Sequence, residues 1–222
     1  MATWGSVANI VRPPLSGTDA PVSALATGNT MKSILHHPAL TLAALGLVSG
    51  TLGSFDLGTN YAEAPNLGVY MVLAGVWFGL VIGYGVWRWG NRSLGAAAAA
   101  FAGTWIAWEV AVNLGLRLDQ NWLVGSAVPD ALKSYVTGFA AGAVGALVTW
   151  AGAAAATPAL RQPSALGLVV ATGALFGLLL PSTSQYDYPA ILLVPWQVAV
   201  AAAFGLCLAP AGCRLGLPCT RP

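Results

Sequence analysis

Glu109 is the residue best placed to do chemistry in this chain, because everything around it is apolar. It lies in the stretch WIAWEVAVN, residues 105–113, and no other charged residue occurs between positions 93 and 116. A carboxyl inside a membrane span costs about 2.5 kcal/mol or more at the bilayer centre and less near the interface, so such acids turn inward and find a partner. A carboxyl held there can take a proton or bind a cation. Asn113 stands one turn further along the same helical face. Gln197, eight residues after Pro189, reaches a similar depth from the last apolar stretch, while Asp56 ends the first stretch and Asp187 precedes the last. Glu109, Gln197, Asn113, Asp56 and Asp187 are therefore the candidate transport or ion-binding residues, arranged as an outward-facing acidic vestibule leading to Glu109. The competing reading is a structural carboxyl, hydrogen-bonded across helices to Gln197 or to a tryptophan N–H.

Other residues carry less. Pro195-Trp196-Gln197 interrupts the last apolar stretch and frees a carbonyl one turn earlier, a pattern shared by broken helices at binding sites and by ordinary kinked spans. His36 and His37 are adjacent, so on a helix they point about 100° apart and make poor co-ligands. Cys207, Cys213 and Cys219 recur every six residues, which is not a zinc spacing. No GxxxxGK[ST], HExxH or GxSxG motif is present, and the two histidines are neighbours. No enzymatic reaction, metal or cofactor is named by these residues. Nor does any Lys/Arg cluster suggest a nucleic-acid partner.

The elements that must position these residues are membrane spans. The chain is 57% hydrophobic and 7% charged, against about 25% charged in soluble domains. So little charge cannot coat a globule, and most of the surface must face lipid or other subunits. Six apolar stretches near 38–57, 67–87, 94–115, 134–155, 164–181 and 189–209 predict an all-α, six-helix transmembrane bundle, flanked by tails at 1–37 and 210–222. Polar segments separate them: two acids and Pro65 near 56–66, RWGNR at 88–92, the long 119–133 connection, Arg161 between two prolines, and STSQYDY at 182–188. Irregular backbone of that kind belongs at the membrane faces, where water can hydrogen-bond it.

Counting basic residues orients the bundle. One side carries Arg12, Lys32, Arg88, Arg92, Arg161, Arg214 and Arg221, and the other only Arg117 and Lys133. The positive-inside rule places both termini in the cytoplasm, with a bacterial inner membrane as the expected setting. Asp56, Glu63, Asp119, Asp130 and Asp187 then mark the outer side. Tyrosines and tryptophans fall near both interfaces, as amphipathic rings should.

Glycines at four-residue spacing should pack the helices. Gly46 and Gly50, Gly75, Gly79 and Gly83, Gly138 and Gly142, and Gly173 and Gly177 each lie on one helical face, where backbones can approach closely without lipid opposing them. ALGLV at 44–48 recurs at 165–169, and a duplication relating the first and last hairpins would suit a transporter. Two functions are compatible with these features. One is a small transporter or channel for a proton, cation or small solute. The other is a non-catalytic subunit or assembly factor that meets other membrane chains, or its own copies, through small-residue faces.

Overall fold

The computed structural model describes residues 37–56, 73–186 and 188–209. Among them the chain is helical and contains no strand. In order run α1 (Pro38–Asp56), α2 (Leu73–Trp89), α3 (Leu94–Arg117), a π-helical turn (Leu118–Trp122), α4 (Asp130–Ala156), a 3-10 turn (Pro158–Leu160), α5 (Pro163–Gly177), α6 (Leu180–Tyr186) and α7 (Ala190–Leu208). Five of the helical segments are long and apolar enough to cross a membrane. The sixth expected stretch, 67–87, is described only from Leu73, so its start lies outside the described residues.

Two connections differ from the sequence expectation. The 119–133 segment is mostly helical: the π turn prolongs α3 to Trp122 and α4 begins at Asp130, so the break shrinks to 123–129. The polar run at 182–188 likewise begins as helix α6 rather than irregular chain. In both places polar residues stay helical because the intrahelical ladder satisfies the backbone, whatever solvent the side chains meet.

Each long helix packs against the next long one, and α7 returns to α1, closing a ring α1–α2–α3–α4–α5–α7. Glycine faces make the seams. A Cβ at Gly46 would lie 2.7 Å from the Gln197 carbonyl oxygen, and one at Gly50 would lie 2.7 Å from Val194 Cα. Gly79 meets Phe101, and Gly83 meets the Ala97 carbonyl. Gly138 and Gly142 of α4 press against Gly177 and Gly173 of α5.

The two ends of the ring are filled differently. At the Arg161 end a dense core joins Leu42, Ile82, Val86, Val169, Val200 and Phe204, all nearly or fully enclosed. Arg161 closes that end further: its Nε and Nη2 donate to the Ala154 and Ala155 carbonyls at 3.0 and 2.7 Å. Asn91 Nδ2 donates to the Ala156 carbonyl at 2.9 Å. These donors satisfy the last carbonyls of α4, and the guanidinium complements the negative end of the helix dipole. At the Asp130 end the middle of the ring is open.

Candidate functional site

That opening is a cavity of about 340 Å³ enclosed by residues of α2, α3, α4, α5, α6 and α7. Along it the contact between α3 and α4 loosens. A Cβ on Gly103 would lie 2.7 Å from Gly152 Cα; on Gly145, 3.1 Å from Ala111 Cβ; on Gly115, 3.7 Å from Ala141 Cβ. The two helices thus touch backbone to backbone near the core and relax to ordinary contact toward the Asp130 end. The cavity is a cup whose inner end abuts the dense core at Phe78 and Trp196.

Aromatic rings shape the bottom. Trp196 and Phe78 stack at 5.5 Å between centroids, tilted by 59°. The Trp196 indole donates to the Gly173 carbonyl at 3.0 Å, which fixes the ring against α5. Pro195 leaves α7 helical through Leu208, so this segment is a continuous helix carrying a proline and not a broken one. Thr104 and Thr149 sit at the bottom, and Thr137 lies nearer the rim. The Thr104 hydroxyl bonds the Ala100 carbonyl at 2.7 Å. Thr137 and Thr149 are 2% and 1% exposed, and among the described residues neither hydroxyl has a hydrogen-bond partner, nor has the Trp108 indole N–H. Asp119 and Ser134 stand at the rim. Asp119 belongs to the π turn, a widened geometry that often occurs at functional sites. Lys133 is engaged beside the rim in an ion pair with Asp130 at 2.6 Å.

The five residues singled out from sequence do not converge on this cup. Gln197 is fully buried in the α1–α7 seam, where Ser49 Oγ donates to its Oε1 at 2.6 Å. Its Nε2 has no partner among the described residues. It therefore bonds across helices, but to Ser49 and not to Glu109. Glu109 is half-buried on α3, and Asn113 Nδ2 bonds its backbone carbonyl at 2.9 Å, a contact within one helix. Glu109 is not among the residues lining the cup. Successive turns of α3 meet α2 at Ala97–Gly83, Phe101–Gly79 and Trp105–Gly75; one turn further, this register runs past Leu73 and out of the described residues. Asp56 is the last residue of α1, and Asp187 lies outside the described residues.

Sequence reasoning missed Thr137, Thr149 and Trp108 as site residues and counted Asp119 only as a surface charge. The signal was a threonine pair set among the α4 glycines, TGFAAGAVGALVT at 137–149. Comparisons with protein-family models, with curated proteins and with solved structures find no match.

Proposed function

We propose that this chain is a multi-pass membrane protein that receives a small solute in the cup between α3 and α4, as a transporter open to one side. The carrying observation is the asymmetry of the ring: one half is filled by a continuous apolar core, and the other half is a cavity of about 340 Å³. That volume falls near the lower limit of ligand pockets, roughly 300–1,000 Å³. The packed core at the Arg161 end argues against a standing pore and for a site that is loaded from one face. The basic-residue count supports cytoplasmic termini, with the cup facing outward across a cell membrane. Asp119 gives the rim an acid that the acidic-vestibule reading did not include, whereas Glu109 and Gln197 of that reading are not among the residues lining the cup.

The experiment is uptake and binding in reconstituted vesicles, comparing wild type with Gly115→Leu. A Cβ at Gly115 would lie in ordinary contact, 3.7 Å from its nearest neighbours, and an unchanged thermal midpoint of the variant checks that it folds. Uptake of a solute by wild type and its loss in Gly115→Leu is the expected result. Equal uptake in both would remove the cup as the site.

One observation favours the second reading, a subunit of a larger assembly. Gly95, Ala98, Ala99 and Ala102 form an exposed row on α3, and small residues of this kind are how helices of separate chains approach in lipid. Stoichiometric co-purification of another chain, lost on Ala98→Leu and Ala102→Leu together, would support it.

A further inference from the structure

The end of α2 carries a cation framed by aromatic rings, on the outside of the ring of helices and away from the cup. We infer that this collar, Tyr84, Trp87 and Trp89 around Arg88 with Arg92 beside it, holds the headgroup of an anionic phospholipid. The inference rests on the chain being embedded in a membrane and is independent of the cup. Arg88 is held in place by rings: its Cζ lies 5.5 Å from the Trp89 ring centroid, and Trp89 packs partly against the apolar core. Tyr84 meets Trp89 edge-on at 5.7 Å between centroids and Trp87 at 6.1 Å. A guanidinium resting on a ring uses its face and keeps its in-plane N–H donors. Among the described residues those of Arg88 make no hydrogen bond or ion pair, and neither do those of Arg92, which is exposed.

Charge complementarity names the partner. No acid occurs in the sequence between Glu63 and Glu109, and among the described residues none stands at the Arg161 end; Asp56, Asp119 and Asp130 all lie at the opposite ends of their helices. Arg161 turns its donors onto the Ala154 and Ala155 carbonyls, so Arg88 and Arg92 are the cations left at this end to meet an anion from outside. The surface leading to them is apolar. Leu80, Tyr84 and Trp87 are exposed and follow one another at helical spacing on one face of α2. Lipid chains, then rings, then a guanidinium is the order in which a phospholipid presents its tails, its interfacial region and its phosphate. Amphipathic rings sit at headgroup depth, and a guanidinium takes phosphate oxygens two at a time. A soluble phosphate would engage the arginines and leave the apolar stripe without a role. Two arginines without an acid favour an anionic headgroup over a zwitterionic one.

The test places the full chain in nanodiscs of phosphatidylcholine containing a minor share of phosphatidylglycerol with the same acyl chains. Native mass spectrometry then reads which lipids stay bound on release from the disc. Wild type is expected to retain phosphatidylglycerol in excess of its share of the bilayer. Arg88→Gln combined with Arg92→Gln should reduce that excess by about fivefold for each arginine, the scale of one basic residue beside an anionic surface, with the thermal midpoint unchanged. Arg117→Gln, at the other end of α3, removes the same charge and should leave the excess as it was. Inorganic phosphate added to the protein in detergent should not shift the thermal midpoint, whereas phosphatidylglycerol should raise it. No excess in wild type, an excess that survives the double replacement, an equal loss in Arg117→Gln, or a shift with inorganic phosphate matching that with the lipid would overturn the inference. Failure of the chain to enter nanodiscs of either lipid would overturn the membrane reading with it. Solute uptake that ignores Gly115→Leu would remove the cup and leave the collar standing.

Discussion

Ser49 and Gln197 form a buried polar pair between the first and last helices, 2.6 Å apart. Removing one partner strands the other, and a buried unsatisfied group costs about 1–3 kcal/mol. Ser49→Ala should therefore lower the thermal midpoint, and Gln197→Leu on the same background should recover part of the loss. Additive losses in that double-mutant cycle would refute the pairing. Thr149→Val should behave oppositely. Its hydroxyl has no protein partner among the described residues, so its loss should cost less than about 0.5 kcal/mol, as at sites free of special interactions. A large drop in stability would make that hydroxyl structural. Glu109→Gln should leave ligand binding in the cup unchanged, since Glu109 does not line it; lost binding would return Glu109 to the site. At this scale the sequence announces residues that are costly to bury. A lone acid among apolar neighbours stands out, whereas threonine and tryptophan cost little and give only the faint signal of a threonine pair among the α4 glycines. The proposed site was hard to read because, Asp119 apart, its lining is uncharged.

Helix faces were more legible. Glycines four residues apart declared which sides of α1, α2, α4 and α5 come close to a neighbour, because only such faces tolerate backbone contact. A Cβ at Gly79 would lie 3.0 Å from both the ring and the backbone oxygen of Phe101, whereas Leu80 beside it is 52% exposed. Gly79→Leu should accordingly reduce thermal stability in detergent far more than Leu80→Ala. Small, equal effects would mean that this face looks at lipid. The ends of helices were read less well. Polar residues at 119–122 and 182–186 suggested loops, yet the backbone continues in helical turns there. Polarity tells where a side chain can meet water; it does not decide whether the backbone ladder stops. Which partner each glycine face chooses also escaped the sequence, since spacing gives a face and no address.

Over the whole molecule, apolar runs and their polar breaks predict an all-helical chain; among the described residues the elements are helical, and five segments are long and apolar enough to span a membrane. The closure of α7 onto α1 and the half-filled interior depend on non-local packing, which no local pattern encodes. The central claim is that a cup opens to the aqueous face at the Asp130 end, and cysteine accessibility tests it most directly. In intact cells, with Cys207, Cys213 and Cys219 replaced, single cysteines are placed at Val124, Gly115, Val112 and Ile106 and exposed to a small impermeant thiol reagent. Val124 is 64% exposed between α3 and α4, Gly115 and Val112 line the cup, and Ile106 is 56% exposed on the outside of the ring. Val124, Gly115 and Val112 should be labelled and Ile106, facing lipid, should not. Labelling at Val124 with none at Gly115 and Val112 would contradict a solvent-reached cup, and labelling of Ile106 to the same extent would contradict a lipid-facing ring.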